Sequence, residues 1–188
     1  MIDYKFVIKT FIHLLLISLM LSASVMAQEE SIPSAENFLA NHGLATDQPV
    51  PDFQYESIDG NEIDLEEFEG EYVLIDFWGT WCKPCITEAP FLKEAHSKLG
   101  DQVTFIGVAV DDKEQKVREF NERFGIEWPQ IMVSSTSDLV NKFNVKLFPT
   151  TFLIGPDQRV LIGANSEEQI DSLKGEKLLE TLEEYVDS

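Results

Sequence analysis

The stretch Tyr72-Val73-Leu74-Ile75-Asp76-Phe77-Trp78-Gly79-Thr80-Trp81-Cys82-Lys83-Pro84-Cys85 decides how this chain folds. Tyr72 to Trp78 is a nearly unbroken apolar run, the pattern of a strand buried on both faces beneath helices. Val103 to Val110 is a second such run, and each is followed by a helical stretch, so the two predict parallel strands joined by a helix. The intervening helix has its composition over Ile86 to Leu99, with Pro90 inside it as a kink. Both cysteines therefore fall where a buried strand hands over to a helix.

Working outward, Phe53-Gln54-Tyr55 and Glu62-Ile63-Asp64-Leu65 flank Asp59-Gly60-Asn61, a hairpin signature with its turn residues in place. Beyond the second run, Val117, Phe120 and Phe124 stripe an amphipathic helix within Lys113 to Phe124, and Trp128 to Val133 adds a strand. Leu139 to Phe143 reads as a short helical turn. Thr151 to Ile154 and Arg159 to Ile162 form a hairpin across Gly155-Pro156-Asp157, and Leu178, Leu179, Leu182 and Val186 mark a final helix. The expectation is an α/β domain over residues 52–188: a central mixed sheet flanked by helices, with an N-terminal hairpin and a helix-strand pair over Lys113 to Val133. Residues 28–51 are polar and interrupted by Pro33, Gly43, Pro49 and Pro51, with one short helical candidate, Ala35 to Asn41; they read as a leader or spacer.

Residues 1–27 have the form of a secretory signal: Lys5 and Lys9, an apolar run from Phe11 to Val25, and small residues Val25 and Ala27 before a cut ahead of Gln28. An uncleaved anchor is the alternative, but no basic stop cluster follows the run. An exported protein of the cell envelope or periplasm is expected. The 188 residues are 44% hydrophobic and 11% aromatic, enough for one core and too apolar for a disordered tail. Thirty-four acidic against fourteen basic residues give a net charge of −20, which argues against nucleic acid or anionic lipid as partners.

Two cysteines cannot staple a small scaffold, and three histidines offer little for a structural metal. Cys82 at a helix start meets free backbone N–H groups and the positive end of the helix dipole, which favour thiolate over thiol and make it the expected nucleophile. Cys85, one turn later, can close a disulfide with Cys82 as its resolving partner, and Pro84 supplies a fixed φ where no N–H is needed. Half of a zinc site or an inert structural disulfide is the competing reading. Asp76 interrupts the apolar run, where a charge would be desolvated and its pKa raised; the alternative is a strand-end acid bonded to backbone. Glu88, three residues after Cys85, is a helical neighbour of that sulfur, or else an exposed acid favoured by the helix start.

The segment Asp76 to Cys85, with Pro90 five residues later, resembles the active-site segment of the thioredoxin family, and Phe148-Pro149-Thr150 resembles its second hallmark. The match runs from Asp52 to Val186. The inserted Lys113 to Val133 and the export signal point to the TlpA/ResA type of envelope thiol-disulfide oxidoreductase. The resemblance implies a thioredoxin fold, a cis-proline at Pro149 beside the disulfide, and backbone at Phe148 and Thr150 that pairs with an extended substrate segment. It matches Asp76 to the buried acid of cytoplasmic thioredoxins, a departure from many TlpA/ResA-type proteins, and Glu88 to the active-site glutamate of the ResA-like branch. Trp81 is expected to dock partners and Trp78 to pack. His96 is expected to be a solvated helix residue.

The function expected is exchange of the Cys82/Cys85 dithiol with disulfides of envelope proteins, in the reducing direction, by a monomer without metal or cofactor. Re-reduction by a membrane thiol relay, and an apocytochrome c cysteine pair as client, are further implications of the resemblance. A thiol peroxidase would need proline at position 75, where Ile75 stands. A binding or chaperone module using the groove near Pro149 without redox turnover is the remaining rival.

Overall fold

The computed structural model describes residues 38–187. The signal reading of residues 1–27 lies outside the described residues, as does the start of the Ala35–Asn41 helical candidate. The two apolar runs become the centre of the sheet. β3 (Tyr72–Trp78) and β4 (Val103–Val110) pair in parallel, Asp76 opposite Gly107. β5 (Gln130–Val133) joins β4 in parallel on one side. On the other, β6 (Thr150–Ile154) runs antiparallel to β3 with Asp76 opposite Thr151, and β7 (Val160–Ile162) follows antiparallel to β6. The order β5-β4-β3-β6-β7 is the mixed sheet expected. A separate two-stranded sheet pairs β1 (Gln54–Glu56) with β2 (Glu62–Asp64).

Side-chain alternation along β3 divides the core. Val73, Ile75 and Phe77 join Phe143 and Phe152 on the face covered by the hairpin and α3 (Asp138–Lys142), where the three Phe rings meet at 5.2 to 6.0 Å. Leu74 faces the opposite layer, α1 (Lys83–Leu99) and α5 (Gly175–Val186), with Leu92, Leu99, Leu178 and Leu182. A period of two places Asp76 on that same face, beneath α1. α2 (Glu114–Phe124) and β5 form the inserted pair. The short helix α4 (Glu167–Ser172), absent from the sequence reading, starts at Ser166, whose hydroxyl accepts from the Gln169 N–H; Ser166-Glu167-Glu168-Gln169 carries that capping signal.

Two expectations change. Residues 42–50, read as spacer, pack against the domain: His42 is buried, Leu44 enters the core, and the Asp47 and Val50 N–H groups donate to the Val160 and Gln158 carbonyls while Gln48 accepts from Val160. Main-chain pairing with an edge strand makes no demand on side-chain type, so composition did not reveal it. His96, read as solvated, lies against Phe105 at 5.2 Å and Trp128 at 5.0 Å. At the other edge, the Ile58 N–H donates to the Gln130 carbonyl and Ser57 bridges to Ile131, so the turn of the small sheet closes β5.

Candidate active site

The site grows from the end of β3. There Gly79 and Thr80 turn the chain into α1, and Cys82 is the N-cap residue of that helix. Its Sγ lies 3.3 Å from the Cys85 nitrogen and accepts that N–H, and its carbonyl accepts from Ile86. Pro84 occupies the first turn, where its missing N–H leaves no gap. Cys82 and Cys85 form a disulfide across the turn with Cα atoms 5.3 Å apart, and both are buried. The helix start that favours a thiolate at position 82 therefore carries a sulfur already hydrogen-bonded to backbone.

The turn is held from the side. Thr80 donates its N–H and its hydroxyl to the two carboxylate oxygens of Asp112, at 2.5 and 2.9 Å, and Trp81 donates Nε1–H to the Val110 carbonyl at 2.9 Å. A side chain at position 79 would put a Cβ 2.5 Å from Trp81 Nε1, which is why glycine stands there. Asp112 was missed from sequence, although an Asp-Asp pair directly after a buried strand, at its C-terminal end, was the available signal. Trp81 is 53% exposed and meets Phe148 edge-on at 5.3 Å, whereas Trp78 is buried and donates Nε1–H to Gln130 Oε1.

The Phe148–Pro149 bond is cis, and Phe148 packs against the cluster that contains Trp78, Cys82 and Cys85. Pro149 and Thr150 are buried; Thr150 opens β6 opposite Phe77. Lys83 is exposed at the mouth.

Asp76 lies under α1 in a narrow slot that it shares with Trp78, Cys85, Ala89 and Phe120. Its Oδ1 accepts from the Thr151 hydroxyl at 3.0 Å, a side chain rather than the backbone partner considered above. Burial pushes the carboxyl up to about 7, and the charge of Glu88 acts in the same direction; the Thr151 hydroxyl and Lys174 oppose the rise. Glu88 is half-buried, and its Oε2 accepts from the Gly175 N–H at 2.8 Å, the first residue of α5. The structure thus brings Asp76 and Cys85 together and turns the Glu88 carboxylate toward the neighbouring helix.

With a disulfide closed over one helical turn at the start of α1 and a cis-proline loop packed beside it on this sheet, the chain is a thioredoxin-fold thiol-disulfide oxidoreductase. Relatives agree. The thiol-disulfide oxidoreductase ResA of Bacillus thuringiensis subsp. konkukian is 30% identical over 150 residues, covering 79% of this chain and 81% of its own. That of Geobacillus kaustophilus is 34% identical over 138 residues, covering 71% and 79%. Among solved structures, the thioredoxin domain of a thiol-disulfide oxidoreductase from Bacteroides vulgatus superposes with a TM-score of 0.66 at 27% identity, covering 76% of this chain and 99% of that one. The AhpC/TSA family model matches residues 46–161, and the chain belongs to that family.

Proposed function

We propose that the protein is an exported reductant of protein disulfides in the cell envelope, with Cys82 as the attacking and Cys85 as the resolving thiol. The observation that carries the reading is the Cys82 sulfur on the Cys85 N–H at the N-cap of α1. In the reduced protein the Cys82 thiolate attacks one sulfur of a client disulfide; that S–S bond breaks, a mixed disulfide forms, and the other client sulfur leaves as a thiolate. Cys85 then gives its proton to Asp76 across the shared slot and attacks the Cys82 sulfur. The Cys82–client bond breaks, the client leaves with two thiols, and Cys82–Cys85 closes as the disulfide. Two electrons have passed to the client, and a donor dithiol must return them.

Asp76 is favoured over Glu88 as acceptor because its pKa of about 7 sits near neutral pH and it faces Cys85, while Glu88 is engaged by α5. The two acids also support the reducing direction, since their negative charge opposes extreme thiolate stabilisation. Trp81, Pro84 and Phe148 form the client-facing rim, and the buried Pro149 and Thr150 shape the loop behind it for binding an extended client segment. Export is supported by the form of residues 1–27 and by the envelope type that the sequence resembles.

Equilibration with glutathione tests the direction: a potential near about −270 mV fits a reductant, and one near about −120 mV reverses it. A Cys85→Ser variant in the native envelope should trap clients with paired cysteines, an apocytochrome c among the candidates. Trapping only newly exported, reduced chains would overturn the reading.

A further inference from the structure

His42 lies outside the residues matched by the family model, takes no part in the exchange steps above, and is 1% exposed. Its ring reaches both ends of the loop that carries the cis-proline. Nδ1 accepts the Lys146 N–H at 3.1 Å, and Nε2 lies 3.1 Å from the Thr150 hydroxyl. That hydroxyl has one hydrogen, which it donates to the Leu147 carbonyl at 2.7 Å, so the imidazole must be the donor at Nε2. The neutral Nε2–H tautomer is therefore fixed by its partners. Between the two anchors, Leu147 stands 43% exposed and Phe148 meets Trp81 beside the disulfide.

We propose that His42 is the positioning residue of the client-binding loop: an imidazole supplied by the N-terminal segment staples Lys146 to Thr150 and holds Phe148 and Pro149 in the geometry that receives the client chain. The staple works only with a neutral ring, because an imidazolium carries two N–H groups and would set a donor against the Lys146 N–H. Burial holds the imidazole below its ordinary 6.5, and the two charged groups acting on it, Lys146 on the loop itself and Lys174 ahead of α5, are cations that lower it further. Loop closure and protonation thus compete. Above 6.5 the closed loop has its full support, and as pH falls from there toward the lowered value of the closed state, protonation favours release.

The inference rests on the reading of Phe148 to Thr150 as the client-binding loop, and the test separates the two. Reduction of insulin reports on client binding, and reduction of a small aromatic disulfide reports on the thiols alone; their ratio cancels changes in thiolate fraction. His42→Ala should raise KM for insulin about fivefold or more, with kcat and the small-disulfide rate unchanged. His42→Gln, whose amide can reach the Thr150 hydroxyl and which does not titrate, should recover much of that loss. It should also abolish the rise in wild-type KM between about pH 7.5 and about pH 5.5. Phe148→Ala serves as the control on the loop. If it leaves KM unaltered, the client-loop reading falls and takes the proposal with it; if it raises KM while His42→Ala does not, only the role of His42 is overturned. A small-disulfide rate that falls in step with insulin reduction, or a His42→Gln profile that keeps the wild-type pH dependence, also overturns it. Should His42→Ala fail to fold, the wild-type and His42→Gln profiles decide alone.

Discussion

Asp76 is the residue whose chemistry works against its surroundings. On a strand whose other members are apolar, its carboxyl is held near 7, against 3.8 in an unfolded chain. At pH values below 3.8 both states are protonated and the residue contributes nothing. Between 3.8 and about 7 the folded state retains a proton that the unfolded state loses, so this acid destabilises the fold increasingly as pH rises, with the full penalty present above 7. Asp76→Asn should therefore raise stability at about pH 8 by about 2–4 kcal/mol and leave it within about 1 kcal/mol of wild type at about pH 4, measured by urea denaturation. The same variant should slow release of the mixed disulfide more than its formation in stopped-flow traces. Equal denaturation midpoints at both pH values would show that the carboxyl is not held protonated. The cost of Asp76 was legible because an acid in a buried run stands out. Its partner Thr151 was not, because that contact depends on the β3–β6 register. His42 gave no sign at all: a lone histidine in a polar stretch carries no periodicity, and its bonds span more than a hundred positions.

At the level of elements, α1 links the redox couple to the C-terminal helix. α5 begins at Gly175 after Lys174, which offers no side-chain cap, and Glu88 supplies an acceptor to its first N–H from across the helix pair. Spacing sets Glu88 three residues from Cys85 along α1, but packing against α5 sets where its oxygen points. Glu88→Ala should lower stability by about 0.5–1.5 kcal/mol, with Glu88→Gln losing less because an amide oxygen can still accept. Both variants remove a negative charge near Asp76, so both should lower the Asp76 pKa. A carboxyl titration followed by infrared difference spectroscopy, showing the same midpoint in wild type and Glu88→Gln, would disprove the coupling. The strands were the most readable elements: continuous apolar runs give β3 and β4, alternation around Asp59-Gly60-Asn61 gives β1 and β2, short apolar runs either side of Gly155-Pro156-Asp157 give β6 and β7, and a three-four stripe gives α2. The short helices and the pairing of residues 47–50 left weaker marks, since capping and edge pairing engage the backbone more than the apolar pattern.

For the whole molecule, a net charge of −20 predicts long-range attraction or repulsion in encounters with charged protein disulfides. A basic client disulfide should be reduced faster at low ionic strength, with the rate falling about tenfold between about 0.02 M and about 0.5 M salt; an acidic client should show the opposite trend and a small neutral disulfide almost none. A common salt dependence for all three would place the effect in the thiols rather than in long-range attraction. The sheet itself has two edges, and one continuous stretch, residues 47–64, closes both: Asp47 to Val50 along β7, and the Ser57–Ile58 turn along β5. Unpaired edge strands are templates for pairing with other chains. Loss of this stretch would therefore uncover main-chain donors and acceptors on β7 and on β5 at once, one edge on each side of the sheet. Such a protein could add strands in both directions, which is the condition for open-ended self-association rather than a closed dimer.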